Sequence, residues 1–106
     1  EDVEEDVRER WEGELKAAIE AEYRRRRGEL LLGLQWWLRD VWLHTLASGR
    51  ELLSFPDADG TVNVAKRITA KQARENLRVL EQTQRLLSTN VQEALTLEVG
   101  LLKLNL

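Results

Sequence analysis

Cysteine is absent from this chain of 106 residues, and proline and histidine occur once each. Without cysteine the chain forms no disulfide and holds no zinc–thiolate or iron–sulfur site, a composition that suits the cytoplasm. One proline and six glycines beside a charged fraction of 33% favour helix over strand. Four polar residues interrupt the longest apolar run, namely Gln35, Arg39, Asp40 and His44. Since a membrane-spanning helix needs about 20 mostly apolar residues in succession, we expect no membrane span.

The residue patterns that carry common chemistry are also absent. There is no GxxxxGK[ST] phosphate loop, no GxGxxG dinucleotide motif and no GxSxG nucleophile turn. His44 has no second histidine or cysteine with which to build a metal site, so we expect it at a helix surface or core edge. Asp57, Asp59 and Gly60 resemble part of a calcium loop, but no glutamate closes that loop. We therefore expect no catalytic residue, no cofactor, no metal and no enzyme activity in this segment.

Hydrophobic periodicity predicts an all-α fold, a helical bundle that forms a single domain over residues 1–106. We expect four main helices at about residues 3–27, 29–47, 69–88 and 91–104, with an irregular segment at 49–68. Gly28 is the expected break between the first two helices. An unbroken helix from Val3 to Ala47 would be about 65 Å long, which is about twice the diameter of a compact domain of this size. Either the helix bends, with Gly28 and Gly33 as the available hinge positions, or it projects beyond the globule.

Local signals mark the ends of the later helices. Thr69, with Gln72 three positions further on, forms a capping box for the third helix, and Asn90 is the expected cap of the fourth. The fourth helix is apolar on most sides, so we expect it at the centre of the core, packed against the second and third helices. In the irregular segment, residues 62–67 form either a short helix or part of a hairpin with residues 52–53.

The first predicted helix combines an apolar stripe with an uneven distribution of charge. The apolar residues recur every three or four positions, as on one helix face: Val3, Val7, Trp11, Leu15, Ala18, Ile19 and Tyr23. We expect Trp11 in the core, together with Trp37 of the next helix. Acidic residues crowd the first half and Arg24–Arg27 close it, which matches the helix dipole. A solvated helix end is favoured over phosphate binding for these arginines, since the net charge is −3.

Residues 30–46, LLLGLQWWLRDVWLHTL, hold three of the four tryptophans. Helical spacing places two apolar lines on opposite sides of this stretch. One line consists of Leu30, Leu34, Leu38, Val41 and Thr45. The other consists of Leu32, Trp36 and Leu43. A surface helix has one apolar face, so a neighbouring helix or a protein partner covers the second line.

Arg39 and Asp40 lie within the same stretch and point about 100° apart, so they do not pair with each other. Each needs a partner elsewhere, in the fold or across an interface. Tryptophan and arginine are the residues that interfaces favour at their centres. The candidate subunit interface is therefore Leu32, Trp36, Arg39, Asp40 and Leu43.

Two stretches resemble the C-terminal domain of the bacterial DNA polymerase III delta prime subunit and its clamp-loader relatives, including gamma/tau. The first is WLRDVWL at residues 37–43, which is similar to the WLRD segment of the family. The second is LRVLEQTQRLLSTNVQEALTLEVGLLKL at residues 77–104, a leucine-spaced helix, an asparagine and the pattern L-x-L-E-x-x-L-L-x-L. Gln92 and Glu93 depart from the N-x-N-P that is frequent in the family. The resemblance covers about residues 30–104.

The resemblance implies a collar domain whose task is oligomerisation. In this family the C-terminal domains of delta, delta prime and three gamma/tau chains form a ring that holds ATPase modules, which load the sliding clamp during DNA replication. The chain starts at Glu1 and not at methionine, so we expect a segment of a longer cytoplasmic protein, without its ATPase module. The implied partners are the other clamp-loader subunits, with DNA reached only through the complex. Self-association of the isolated segment is a further expectation.

Two other interpretations stay open from the sequence. An unrelated helical interaction domain would self-associate through the line of Leu32, Trp36 and Leu43. A helical nucleic-acid-binding domain would use Arg24–Arg27 instead. The three hypotheses predict different partners, namely other clamp-loader subunits, a second copy of the chain, or DNA and RNA.

Overall fold

The computed structural model describes residues 2–46, 49–89 and 92–106. In these ranges it contains α1 (Asp2–Thr45), a 3₁₀ helix (Arg50–Leu52), α2 (Asp59–Arg67), α3 (Ala70–Leu87) and α4 (Glu93–Leu102). No strand occurs in the described ranges, which confirms the all-α prediction. The short-helix alternative for residues 62–67 is also confirmed, because α2 contains them.

No break occurs at Gly28, where the sequence predicted one, since α1 continues through the glycine. One glycine costs a helix only about 1 kcal/mol relative to alanine. Arg25 and Glu29 lie on either side of Gly28 and form an ion pair, with Nη1 and Oε1 2.5 Å apart. Side chains one turn apart thus stabilise the helix across the glycine. The expected helix end at Ala47 lies outside the described residues.

The chain divides into two compact units, unit 1 (Glu1–Leu30) and unit 2 (Leu31–Leu106). The described part of unit 1 is helix throughout, and its apolar stripe is exposed. Trp11, expected in the core, keeps 64% of its surface exposed. The reason is that the described part of unit 1 contains no second element against which this helix face could pack.

The core of unit 2 brings together the end of α1 with α2 and α3. Val41, Val64 and Ala73, one residue from each helix, form a buried cluster. Trp37, expected in the core, is partly buried and packs against this cluster. Its indole Nε1 donates a hydrogen bond of 3.0 Å to Thr61 Oγ1 in α2. The apolar body of the tryptophan therefore packs in the core while its polar atom is satisfied.

The predicted capping box begins α3. Gln72 N donates to Thr69 Oγ1 at 3.1 Å, and Thr69 N donates to Gln72 Oε1 at 3.0 Å. Further along the helix, Asn76 is fully buried. Its Nδ2 donates to Asn105 O at 2.9 Å and its Oδ1 accepts from Asn105 N at 2.8 Å. Both hydrogen-bonding atoms of this amide are thereby satisfied, and the chain end is fixed to α3.

α4 is not the buried central helix that its sequence predicted. Its one buried residue is Gly100, whereas Leu95 and Leu102 expose 55% and 77% of their surface. α4 packs on α3, and Gly100 lies so close to Thr83 that a Cβ there would overlap the Thr83 hydroxyl. This close approach buries one side of a short helix and leaves most of its leucines exposed. The predicted cap, Asn90, lies outside the described residues.

Candidate subunit interface

Three of the five predicted interface residues form a continuous surface ridge on the unit 2 part of α1. Leu32 and Trp36 expose 50% and 45% of their surface. Arg39 follows one turn later, with its guanidinium carbon 5.6 Å from the Trp36 ring centroid. Residues three and four positions apart are neighbours on a helix. The three side chains are therefore contiguous, and we call them the Trp36 ridge.

Arg39 is held at a second point besides the ring of Trp36. Its Nη1 donates a hydrogen bond of 3.1 Å to the backbone oxygen of Leu52, in the 3₁₀ helix. A guanidinium that stacks on an aromatic ring and also donates in its own plane uses both of its binding modes. The side chain is thus fixed before any partner arrives. Leu52 itself is 54% exposed beside this contact, and sequence periodicity did not identify it.

The other two predicted interface residues lie inside unit 2. Asp40 is fully buried and Leu43 is 8% exposed. Asp40 Oδ1 accepts from Ser54 N at 2.9 Å, and Oδ2 accepts from Phe55 N at 2.8 Å. The partner that Asp40 required is therefore a loop of the same chain. Since neither Asp40 nor Leu43 offers surface, the candidate interface narrows to the Trp36 ridge.

Arg39 and Asp40, which are adjacent in the WLRD segment, consequently bind consecutive parts of the chain, the end of the 3₁₀ helix and the loop that follows it. Arg39 binds the carbonyl of Leu52, and Asp40 binds the amides of Ser54 and Phe55. The 100° between neighbouring positions on a helix allows this, because Asp40 points inward while Arg39 runs along the surface. This segment fixes both the loop and the ridge.

A groove of about 780 Å³ lies along α3 and α4 within unit 2. Its lining mixes apolar side chains such as Leu86, Leu95 and Val99 with charged ones such as Arg78 and Lys103.

At least two of the arginines considered for phosphate binding form hydrogen bonds with acidic side chains of their own helix. Glu22 accepts hydrogen bonds of 3.0 Å from the Nε atoms of both Arg25 and Arg26. These bonds hold the pKa of Glu22 below its ordinary value, and the bond from Arg25 has the largest effect. The pKa of Arg25 is raised, by Glu22 first and then by Glu29. Two of the four guanidinium groups are thus neutralised locally, as the solvated-end interpretation expects.

The described residues contain no group of three or more histidine, cysteine or acidic side chains placed to hold a metal ion. His44 is partly buried on α1. None of the helices in the described ranges has the length and hydropathy to cross a lipid bilayer. Comparison with protein-family models, with curated proteins and with solved structures found no match.

Proposed function

We propose that this chain is an assembly domain, and that its assembly is the clamp loader of bacterial DNA polymerase III. In this proposal the segment has no enzymatic activity of its own. It packs against the homologous helical domains of delta and gamma/tau chains in the collar, and the geometry of that contact positions the attached ATPase modules. The resemblance at residues 37–43 and 77–104 supplies the family, and the Trp36 ridge supplies the surface.

One observation carries the proposal, namely a large aromatic side chain held on the surface of a folded unit. Trp36 remains 45% exposed although its neighbour Trp37 is packed in the core. The Arg39 guanidinium lies over the Trp36 ring and is anchored to the Leu52 carbonyl. Tryptophan and arginine are enriched among the residues that contribute most to protein–protein binding. The exposed leucines of α4 add a second apolar region on the same unit.

The alternatives have less support. A nucleic-acid interface would need free cationic groups, and Arg25 and Arg26 are already paired with Glu22. An unrelated self-associating domain was predicted to use Leu32, Trp36 and Leu43. Since Leu43 is buried, such a domain would also use the Trp36 ridge. The resemblance favours homologous subunits over a second copy as the occupant of this ridge.

The two adjacent tryptophans offer a matched test. We expect Trp36→Ala to reduce capture of purified delta and gamma/tau subunits about tenfold or more, as loss of a strong interface contact does. The melting temperature should change little, because the indole is half exposed. Trp37→Ala is the control. It removes a core contact and the hydrogen bond to Thr61, so it should lower the melting temperature by several degrees.

Two outcomes would oppose the proposal. If the wild-type chain captures neither delta nor gamma/tau, the clamp-loader assignment is lost. If Trp36→Ala lowers the melting temperature as much as Trp37→Ala does, Trp36 supports the fold and is no interface residue.

A further inference from the structure

α4 buries few of its own side chains. Its one buried residue is Gly100, which lies against Thr83 of α3. The apolar side chains of Leu95, Val99 and Leu102 are all exposed. The helix has ten residues, and isolated helices shorter than about 12–15 residues are marginal in water. α4 therefore depends on a further contact with the rest of unit 2.

The chain that follows α4 is held by Asn76 of α3, whose side chain is fully buried. Asn76 Nδ2 donates to Asn105 O at 2.9 Å, and Asn76 Oδ1 accepts from Asn105 N at 2.8 Å. Arg67, the last residue of α2, donates from Nε to the main-chain oxygen of Leu106 at 3.1 Å. We call residues 104–106 the strap. The strap is thus bound by both α2 and α3.

Asn76 recognises the main chain of the strap and not a side chain. Both of its hydrogen bonds go to backbone atoms of Asn105, whose own side chain is exposed. A side-chain amide that bonds the N–H and the C=O of one residue reproduces the pairing of two residues in antiparallel strands. Any residue except proline can supply these two atoms. Asn76 therefore fixes the position of the strap without specifying its sequence.

The strap and α4 share one face of α3. Asn76 and Thr83 are both buried and lie seven positions apart, so they lie on the same helix face with a separation of about 10 Å. Their contacts, Asn105 and Gly100, are five positions apart and follow the opposite order along the chain. The end of α4 is therefore fixed to α3 at two points, one on the helix and one on the strap.

We propose that the strap is a latch that keeps α4 folded on α3, and that Asn76 is its main-chain binding site. When the two bonds to Asn105 break, α4 loses the contact that offsets its short length, and it opens together with the strap. The rest of unit 2 stays folded in this open form, because the buried cluster of Val41, Val64 and Ala73 contains no residue of α4. Opening uncovers the face of α3 that α4 covers.

Native-state amide hydrogen exchange of the full chain tests whether α4 and the strap open as one unit. In the wild type, the amides in the last turn of α4 and the amide of Asn105 should share one opening free energy. After correction for intrinsic rates, they should exchange at least about tenfold faster than the amides of Val41 and Val64, which need a larger unfolding.

A pair of substitutions at position 105 tests the role of Asn76. Asn105→Pro removes the N–H that Asn76 Oδ1 accepts, whereas Asn105→Ala, the matched control, keeps both main-chain atoms. Loss of a hydrogen bond that leaves its partner unsatisfied changes an equilibrium by about tenfold. Exchange in α4 should therefore be about tenfold faster in the proline variant than in the wild type, and unchanged in the alanine variant.

Thr61→Ala separates the latch from a general loss of stability. It removes the hydrogen bond from Trp37, which the closed form and the open form share. Exchange at Val41 and Val64 should therefore accelerate, while exchange in α4 stays as in the wild type.

Three results would overturn the inference. The first is wild-type exchange in α4 that is as slow as exchange at Val41 and Val64. The second is exchange in α4 that is the same in Asn105→Pro and Asn105→Ala. The third is greater acceleration in Thr83→Ala than in Asn105→Pro, since packing against Thr83 would then hold α4. The latch does not rest on the proposed function, because the strap is no part of the Trp36 ridge.

Discussion

Removing the carboxylate of Asp40 should release the loop that follows the 3₁₀ helix. Asp40 is fully buried and is the acceptor for two backbone amides, those of Ser54 and Phe55. In Asp40→Ala both amides lose their acceptor. In Asp40→Asn one oxygen remains, and the new NH₂ group faces a second donor. We therefore expect the alanine variant to be the less stable of the two, with both below the wild type.

The magnitude follows from the two hydrogen bonds. A hydrogen bond to a charged group contributes about 1.5–3 kcal/mol. The side chains of Ser54 and Phe55 are exposed, so water can reach the freed amides in part and the lower value applies. Asp40→Ala should then lower the free energy of unfolding by about 3 kcal/mol, and Asp40→Asn by about 2 kcal/mol. Asp57→Ala, an exposed acid in the same loop, should change it by less than about 0.5 kcal/mol.

Urea denaturation followed by tryptophan fluorescence measures these differences, and amide hydrogen exchange locates them. Exchange at Ser54 and Phe55 should accelerate in both Asp40 variants and stay unchanged in Asp57→Ala. The reasoning fails if Asp40→Ala matches Asp57→Ala in unfolding free energy and leaves the exchange of both amides as it was.

Two further predictions concern α3, α4 and the arginine cluster. Gly100→Ala should lower the free energy of unfolding by about 1–3 kcal/mol, because its Cβ would overlap Thr83. Thr83→Ala in the same chain should recover most of the lost unfolding free energy. Gly33→Ala, whose Cβ would meet nothing within 4 Å, is the control and should be neutral or stabilising in the same urea experiment. If the two glycine substitutions change the unfolding free energy equally, the close packing of Gly100 on Thr83 is contradicted. For Glu22, hydrogen bonds from Arg25 and Arg26 lower the pKa of the folded state below the ordinary 4.5, so their stabilisation is present above pH 4.5 and is lost as the pH falls through the lowered value. Circular dichroism from pH 7 to pH 2 should show a smaller loss of helix in Glu22→Gln than in the wild type, and identical curves would remove the role of these bonds.

The all-α fold was predictable from the sequence because its signals are local. The capping box of Thr69 and Gln72 depends on side chains three positions apart, and it is present as predicted. Gly28 misled the prediction for the opposite reason. Glycine lowers helix propensity, and the prediction considered the glycine alone. The ion pair of Arg25 and Glu29 spans Gly28 and compensates for part of that effect.

The candidate site was only partly predictable, because periodicity finds apolar lines but does not say which line faces the core. Trp36 and Trp37 are identical in type and adjacent in sequence. What separates them is Thr61, a residue 24 positions away that accepts the hydrogen bond from Trp37. Leu43 shares a helical line with Trp36, yet it is buried. The burial of Asn76 likewise depends on Asn105, a partner 29 positions distant.

The Trp36 ridge and the Asp40 loop act as one structural unit, which bears on how the ridge would bind. Ordering a flexible side chain on binding costs about 0.5–1.5 kcal/mol. Arg39 avoids part of this cost, since Trp36 and the Leu52 carbonyl already hold it in the free chain. The Leu52 carbonyl is fixed because the next residues of the loop are bound to Asp40. Asp40, which is buried and lies outside the proposed interface, thus preorganises Arg39 at the surface. The WLRD segment therefore links the fold of unit 2 to the surface proposed for assembly.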